Sequence, residues 1–589
     1  MFFTRFDPMT DQEVFEKLDA QRKPADACCK CLSGKSFSAK LEGEFAPAQL
    51  DYEFLDAENL SFTENGVRYE APYAAATLGN VTLFSHLVPG TTRGWHGVLD
   101  WETKAITMFE TWFGITVPVG GDLMGQREPD HYRDVPREIQ RHYHFGWADF
   151  GNEKPEKLHT TTNRLEGRGL HWNFSTGYEL LTFFPSVICS TLVELGSKMG
   201  GITVTNPSDF LKINDRYFIY TRSEVEFSGK FWIEVVDFAK LNAIGMEFGF
   251  EKDNSFTYAF HNATLEITGD IAHMENIFSE GDKEPPMARL VGRHGGRYAY
   301  RPLDYDVPMP HEEALECARK AQSIYESDSG IMASRNNLPF SSFLAGKQFK
   351  IKFDCETYAA APWNGDQSIV YEYDVLTSEK LRWRMNDGEW QEEEYRCFEP
   401  APDIYFFAHM CTGDPDFANL THACDFSNGL TTTIRAQIGN WHSEWEAGSK
   451  VNFGTLEYGD IVPPFARRHH FTTDLVGKAY AWCYGSHMSS IHVYSSPESY
   501  SWTIFQDNNS GGATWSSPCY FIKLREDAYL LQWVEENCNG IQTVVVLNPR
   551  LLHDAGFSYG VNHGGLIHHV TGAVARDLGT FDIKGYFER

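Results

Sequence analysis

The sequence lacks any long apolar run and any excess of positive charge. No stretch approaches the roughly 18 consecutive apolar residues of a membrane-spanning helix, and the opening MFFTRFDPMTDQEVFEKLD has no apolar core of signal-peptide length. There are 51 lysines and arginines against 81 acidic residues, which gives a formal net charge of −30. Nucleic acids and anionic membranes attract clustered positive charge, so we expect a cytoplasmic protein that binds neither.

The common signatures of cofactor and metal sites are missing as well. There is no GxGxxG after a strand, no P-loop, no nucleophile-elbow serine and no HExxH. The cysteine cluster at Cys28–Cys31 has no second pair at zinc-ribbon spacing, so we expect reduced thiols. His563, His568 and His569 fit no known ligand spacing. We therefore expect no metal and no cofactor.

What the sequence does contain is an internal duplication. The segment LEGRGLHWNFSTGYELLTFFPS from Leu165 aligns without a gap with LVGKAYAWCYGSHMSSIHVYSS from Leu475. Further matches on both sides, one of which places Tyr52 on Tyr371, extend the alignment with small insertions. Residues 28–275 and 340–580 therefore read as two copies of one unit.

Each copy contains two blocks that open with the pattern L-x-G-[KR], at Leu32, Leu165, Leu344 and Leu475. Within the blocks, short alternating runs such as FKIKF, IVYEY and LRWRM are separated by Gly, Asp and Asn turns, which predicts antiparallel strands. Closure into up-and-down barrels would remove the strand edges. We predict four barrels and a connector with some helix: barrels at 28–115, 135–275, 336–445 and 450–589, and the connector at 276–335.

The second copy resembles the MoaF-like proteins. The motifs that carry the resemblance are LRWR ending at Arg384, the run from Tyr395 through Glu399 to Phe406, IHVY ending at Tyr494, YSW ending at Trp502, and GAVA from Gly572. The resemblance covers nearly all of residues 340–580 and is weaker in the first copy. It implies an all-β fold of tandem lipocalin-like (calycin) barrels. A role in molybdenum cofactor synthesis is not carried over.

The third barrel is also similar, more distantly, to the phenolic acid decarboxylases, single lipocalin-like barrels that work without a cofactor. In chain order Arg384 and Glu399 fall on that family's interior Arg and Glu, which implies acid/base chemistry. The family's tyrosine pair falls on Ile351 and Phe353. This departure argues against decarboxylation of a phenolic acid itself and leaves a related acid/base reaction.

Strand alternation suggests which residues line the third barrel. If the apolar face points inward, a polar lumen would bind a ligand, because buried charges must be paired or matched. We predict Arg384 and Glu399 as catalytic residues, one holding an anion and the other moving a proton. A structural ion pair remains the alternative. The predicted substrate-binding residues of this barrel are Tyr371, Tyr373, Tyr405, Phe407 and His409.

Two further comparisons between the copies complete the prediction. The first copy has Thr63 and Ala76 where the second has the Arg–Glu pair, so we expect the first copy to be degenerate, structural or regulatory. In the fourth barrel His492 is a further catalytic candidate, with Tyr494 and Trp502 as substrate-binding residues. A satisfied core histidine is the alternative for His492.

These features favour a cofactor-independent lyase, isomerase or cyclase of secondary or aromatic metabolism. Its partner would be a small hydrophobic molecule, aromatic, enolic or carboxylated, bound in a barrel lumen. A non-catalytic carrier or sensor of the same kind of molecule is the alternative. Whether the chain forms a homodimer stays open.

Overall fold

The protein is described by a computed structural model. It covers residues 9–25, 29–43, 46–114, 137, 139–185, 189–196, 203–224, 229–251, 253–272, 310–319, 336–359, 369–440, 443–485, 488–506, 513–535, 541–562 and 565–588. Among these residues strands dominate. The helices are short: α1 (Asp11–Ala20), α2 (His311–Arg319) and α3 (Lys584–Phe587). None of the helices so described is long and apolar enough to cross a membrane.

The first barrel is a closed antiparallel ring in which each strand pairs with the next and the eighth returns to the first. Its strands are β1 (Ser36–Leu41), β2 (Leu50–Phe54), β3 (Asn59–Glu64), β4 (Val67–Leu78), β5 (Val81–Leu87), β6 (Gly94–Asp100), β7 (Ala105–Phe113) and β8 (Ile139–Asp149).

The second barrel closes in the same way, from β10 round to β17 and back, with the short β9 at its side. Its strands are β9 (Thr160–Thr161), β10 (Arg168–Phe174), β11 (Glu179–Phe183), β12 (Cys189–Leu195), β13 (Thr203–Lys212), β14 (Tyr217–Glu224), β15 (Gly229–Asp237), β16 (Asn242–Phe250) and β17 (Phe256–Asp270).

The third barrel repeats the first as a closed ring. Its strands are β18 (Gln348–Ala359), β19 (Val370–Val375), β20 (Lys380–Met385), β21 (Gln391–Ala401), β22 (Ile404–Met410), β23 (Asn419–Asp425), β24 (Leu430–Ile438) and β25 (Ala447–Glu457).

The fourth barrel repeats the second, with β26 at its side and β34 inserted next to β33. Its strands are β26 (His470–Phe471), β27 (Lys478–Gly485), β28 (Met488–Ser496), β29 (Ser499–Gln506), β30 (Ala513–Arg525), β31 (Ala528–Glu535), β32 (Ile541–Asn548), β33 (His553–Asn562), β34 (Gly565–Thr571) and β35 (Val574–Thr580).

The predicted all-β fold of tandem barrels is confirmed, but two of the predicted barrel limits are wrong. The first barrel closes with β8, beyond its predicted end at residue 115, and the third closes with β25, beyond residue 445. In both copies the strand assigned to the following barrel pairs with the first strand of the preceding one. Most of the predicted connector lies outside the described residues, and so do Cys28 and His563.

The L-x-G-[KR] signals mark the entry to each barrel. Each leucine is buried, and each glycine has a positive φ, which L side chains rarely adopt. Each glycine N–H also donates to a carbonyl at the end of the barrel's second strand, and this bond fixes the register of the first two strands. The four donor–acceptor pairs are Gly34 to Phe54, Gly167 to Phe184, Gly346 to Val375 and Gly477 to Tyr494.

The barrels of each copy pack face to face, so several strands are buried on both sides. In the first copy β15 turns Phe231, Ile233 and Val235 toward the first barrel, while Trp232 and Val236 point into its own lumen. In the second copy a similar apolar cluster joins the third and fourth barrels. α1 and α2 pack on these assemblies through their apolar faces.

The two copies meet through their second barrels in a nearly twofold arrangement. The Ala272 N–H donates to the carbonyl of Leu578, and the Asp582 N–H donates to the carbonyl of Thr268. These four residues are equivalent in pairs, 310 apart (582 − 272 and 578 − 268). The surrounding apolar cluster also takes equivalent residues from both copies, Leu181 with Ile491 and Phe183 with Val493.

Candidate functional site

Arg384 lies on the outer surface of the third barrel, so its predicted place in the lumen is wrong. On β20 the buried residues are Leu381 and Trp383, which leaves the arginines on the opposite face. The Arg384 guanidinium donates to Glu372 Oε2 at 2.8 Å, and its side chain is 28% exposed. Burial of a tryptophan costs less than burial of an unpaired cation, which explains the orientation of this strand.

Glu399 is exposed at the end of β21, and its predicted place in the lumen is also wrong. Its Oε1 accepts hydrogen bonds from the Asp403 N–H at 3.2 Å and the Tyr405 hydroxyl at 3.3 Å. The structure therefore does not bring Arg384 and Glu399 together as an acid/base pair. Glu399 instead stabilises the turn into β22.

The lumen of the third barrel contains the predicted residues Tyr371, Tyr373, Tyr405 and Phe407 within one buried cluster. The polar centre of this lumen consists of Tyr373, the predicted His409 and His422 on β23, which the sequence analysis did not identify. The Tyr373 hydroxyl lies 3.0 Å from His409 Nε2 and 2.6 Å from His422 Nε2.

The hydrogen bonds of this centre have one consistent direction. His409 Nδ1 must donate to the Met410 carbonyl, 2.8 Å away, so its Nε2 accepts from the Tyr373 hydroxyl. The Tyr373 oxygen then accepts from His422 Nε2, and His422 Nδ1 accepts from the Thr433 hydroxyl at 2.7 Å. Burial lowers the pKa of His409 to about 4 and raises that of Tyr373. A fully paired, neutral chain of this kind indicates a structural centre.

The first barrel keeps half of the same centre. Across the first two strands Phe37 pairs with Tyr52, and Phe349 pairs with Tyr373 in the third barrel, so Tyr52 is the equivalent of Tyr373. The match of Tyr52 to Tyr371 made from the sequence is therefore wrong by two residues. The Tyr52 hydroxyl lies 3.1 Å from Nε2 of His86, and this contact is equivalent to the one between Tyr373 and His409. By the same strand pairings, glycine and methionine replace the second histidine and its threonine.

The fourth barrel encloses His492, Tyr494 and Trp502, the predicted candidate cluster of this barrel, as buried residues. Ser490 Oγ lies 3.0 Å from His492 Nε2, and burial lowers the pKa of His492 to about 3. The Tyr494 hydroxyl has no hydrogen bond among the described residues. Asp554, which the sequence did not point to, is also buried here, and burial raises its pKa to about 7.

The second barrel holds the charged lumen that was expected in the third. β14 and β15 turn Arg222 and Glu234 inward, alongside Tyr220 and Trp232, and β17 turns His261 toward them. Glu234 Oε1 lies 2.8 Å from His261 Nε2, and both side chains are almost completely buried. The Arg222 guanidinium carbon stacks 4.1 Å from the centroid of the Trp232 ring.

Buried polar atoms without a hydrogen bond are concentrated in this lumen. Among the described residues they are Trp172 Nε1, Thr182 Oγ1, both amide atoms of Asn206, Arg222 Nε and Nη2, Trp232 Nε1 and Glu234 Oε2. An unsatisfied buried polar group costs about 1–3 kcal/mol, so one lumen with so many groups indicates a bound ligand or ordered water.

The electrostatics of the lumen favour an anionic or polarised ligand beside Arg222. Burial acts to lower the pKa of the Arg222 guanidinium, but the nearby Tyr220, Glu224 and Glu234 raise it overall. Arg222 Nε lies 3.5 Å from Glu224 Oε1. A guanidinium with free donors in an aromatic lumen is suited to a carboxylate or an enolate.

The fourth barrel lacks this constellation. Strand pairings place Trp533 at the position of Arg222, Val545 at that of Glu234 and Thr571 at that of His261. The second barrel of the first copy therefore holds charged residues that its equivalent in the second copy lacks, while the expectation that the first copy is degenerate, structural or regulatory stays a prediction. One sequence signal was available: a glutamate inside the otherwise apolar run FWIEVV.

Closed eight-stranded antiparallel barrels with aromatic and polar lumens define a lipocalin-like protein. Family models match the second copy twice, as the MoaF N-terminal domain over residues 328–440 and the MoaF C-terminal domain over residues 469–580. The second copy of the chain is therefore similar to both domains of the MoaF family. The likeness to phenolic acid decarboxylases is not shown by these matches.

No curated protein matches the chain. Among solved structures, an alignment with a chain titled "Bifunctional GH43-CE" from Bacteroides eggerthii covers 80% of this chain and 67% of that one. The identity is 9% and the TM-score 0.09, so this likeness supports neither a fold nor a function.

Proposed function

We propose that the second barrel is the active site of an acid/base enzyme, a lyase, isomerase or cyclase, that acts on a small hydrophobic molecule. The observation that carries the proposal is the state of Glu234. One carboxylate oxygen is bonded to His261 and the other, Oε2, faces the lumen without a partner. A carboxylate held in this way can accept a proton from a ligand placed against Oε2.

His261 positions the carboxylate, because its Nε2 lies in hydrogen-bond contact with Glu234 Oε1 at 2.8 Å. Removal of a proton next to a carbonyl or carboxylate leaves negative charge on the ligand's oxygen. Arg222 has free N–H donors in the same lumen to receive that charge. Glu234 then transfers the proton to a different atom of the ligand, as in an isomerase, or to the leaving group, as in a lyase.

The remaining lining suits an aromatic or polyunsaturated molecule. Trp172, Phe174, Tyr220 and Trp232 belong to the apolar cluster of the lumen, and such rings bind flat apolar ligands. The indole N–H groups of Trp172 and Trp232 have no hydrogen-bond partner among the described residues and can orient a polar substituent of the ligand. We therefore propose an aromatic, enolic or carboxylated metabolite as substrate, and no cofactor at this site.

We also propose that the protein works in the cytoplasm. The nine cysteines whose side chains the structure describes are all free thiols, which suits a reducing compartment. The net charge of −30 makes nucleic acid an unsuitable partner.

The test uses 4-hydroxyphenylpyruvate, an aromatic 2-oxo acid with an enolisable C–H, as the probe. Deuterium uptake at its methylene carbon in D₂O, followed by NMR, measures proton abstraction directly. We expect the protein to accelerate uptake above the buffer rate, and Glu234→Gln to reduce that acceleration by about 10²–10⁴-fold. The matched control is Glu399→Gln, an exposed carboxylate that should leave the rate unchanged.

Equal acceleration by the wild type and by Glu234→Gln would contradict the proposal. Quenching of tryptophan fluorescence by the probe without any deuterium exchange would favour the alternative function, a non-catalytic carrier or sensor. Native mass spectrometry of the protein as purified gives an independent view, since a copurifying molecule identifies the ligand class.

A further inference from the structure

One end of the first barrel holds a cluster of potential metal ligands outside the proposed active site. Glu110 on β7 lies directly opposite His142 on β8, and His144 follows two residues later. Residues two apart on a strand share a face, and this face is the lumen, since Met108 and Ala148 on the same alternation belong to the barrel core. The three side chains therefore converge inside the barrel.

The geometry of the cluster fits one metal ion. One imidazole nitrogen from each histidine and a carboxylate oxygen of Glu110 all lie within 4.8 Å of one another. Ligand atoms that share a zinc ion each lie about 2 Å from it, so small side-chain rotations bring these three onto one ion. Two imidazoles and one carboxylate leave open positions for water or a ligand.

One buried nitrogen of the cluster has no hydrogen-bond partner. His144 Nε2 is buried and has no hydrogen bond among the described residues. His144 is 4% exposed. Burial of an imidazole nitrogen without a hydrogen-bond partner lowers the stability of the folded protein. Coordination of this nitrogen to a metal ion would offset that cost.

The charges around the cluster also favour a cation. Arg93 Nη2 lies 2.6 Å from Glu110 Oε1 and 2.6 Å from Glu64 Oε1, so one guanidinium serves two carboxylates. These three side chains carry a net charge of −1. Arg93 binds Oε1 of Glu110 and orients the carboxylate, so that Oε2 can serve as the ligand.

The third barrel provides an internal comparison. Strand pairings place Arg435 at the position of Glu110, Lys450 at that of His142 and Asn452 at that of His144. Two of these replacements are cations, which repel a metal ion, and none is a histidine or a carboxylate. The three residues are thus a feature of the first barrel that the equivalent third barrel does not share, and the fold does not require them.

We propose that Glu110, His142 and His144 bind a first-row transition-metal dication such as Zn²⁺. Nitrogen and carboxylate ligands together suit zinc and its neighbours better than calcium or magnesium, which prefer oxygen alone. The proposal departs from the expectation of a metal-free protein drawn from the sequence. Metal-ligand signatures in a sequence rely on fixed spacing along the chain, and Glu110 is brought beside the histidines only by the pairing of β7 with β8.

The test is Zn²⁺ titration of the full untagged chain after chelator treatment, followed by isothermal calorimetry. Co²⁺ titration with visible absorption is the second readout, because bound Co²⁺ gives ligand-field bands. We expect about one equivalent of either ion to bind. His144→Gln and, separately, Glu110→Gln should each weaken Zn²⁺ binding by at least about 10-fold. Glu110→Gln keeps an acceptor for Arg93 and guards against loss of folding.

His492→Gln is the matched control, since it changes a buried lumen histidine in another barrel and should leave Zn²⁺ affinity unchanged. Cysteines or histidines elsewhere would bind the ion equally in all variants. Binding that is absent in the wild type, or unchanged in both His144→Gln and Glu110→Gln, would overturn the proposal.

Discussion

Glu234 and His261 are joined by a 2.8 Å hydrogen bond inside the second barrel, and the residue between them on β16 is Gly245. A Cβ on Gly245 would lie 2.1 Å from Glu234 Oε2 and 2.4 Å from His261 Nε2. The absence of a side chain at this position is therefore a condition for the pair and for the access of a ligand to Oε2.

Gly245→Ala should displace the Glu234–His261 pair. We expect proton exchange with 4-hydroxyphenylpyruvate to fall at least about 10-fold. The free energy of unfolding should fall by about 1–3 kcal/mol, as is usual when a packed interior receives an extra carbon. NMR exchange and urea unfolding provide the two measurements. Gly585→Ala, where no atom lies within 4 Å of the new Cβ, is the control and should change neither.

Tyr373→Phe should destabilise the protein more than Tyr52→Phe. The first change removes the partner of Nε2 on both His409 and His422, and the second removes the partner of His86 alone. Each unpaired nitrogen costs about 1–3 kcal/mol. Urea unfolding at pH 7.5 compares the two variants at equivalent positions. Equal losses would show that the His422 contact contributes nothing.

Asp554→Asn should change how stability depends on pH. Burial raises the folded-state pKa of Asp554 to about 7, above its unfolded value near 4, so the folded state holds a proton that the unfolded state releases. The wild type therefore loses stability at this site as pH rises from about 4 to 7, by about 4 kcal/mol in all. The asparagine cannot ionise and still offers an oxygen to the Ala573 N–H.

The measurement for Asp554→Asn is the difference in unfolding free energy from the wild type at pH 5 and pH 8. We expect the variant to gain relative to the wild type at pH 8. A difference that is the same at both pH values would contradict the raised pKa.

Arg384→Met should have little effect, in contrast to its predicted catalytic role. The Arg384–Glu372 pair is partly exposed, and such pairs contribute about 0–1 kcal/mol. We expect unfolding free energy within that range of the wild type and unchanged proton exchange. A large loss of exchange would return the active site to the third barrel.

The fold was accessible from the sequence because its signals are local. The alternating runs gave the strands, and the repeated leucine and glycine of L-x-G-[KR] are the buried anchor and the positive-φ turn that begin each barrel. The last strands of the first and third barrels were assigned to the wrong barrel because their partners are the first strands, far away in the sequence. Pairing at that distance leaves no local pattern.

The site was harder to predict because period-2 alternation gives two faces without saying which is inside. On β20 both faces carry large side chains, Trp383 on one and Arg384 on the other, and the family likeness favours the arginine face as the inner one. On β15 both faces are buried, so the strand has no alternation that would assign Glu234 to the lumen. The cost of burying an ion decides both cases: Arg384 turns outward, and Glu234 is retained inside beside His261.

The nearly twofold contact between the copies bears on the history of the chain. Reciprocal bonds between Ala272 and Leu578 and between Asp582 and Thr268 have the form of a contact between identical subunits. A single copy made alone would expose the Leu181 and Phe183 face to water and would have to associate with another molecule to cover it. Joining the copies in one polypeptide makes that association intramolecular. Each copy is then free to accumulate its own mutations, which is how an ancestral dimer of identical sites can become one protein with unlike ones.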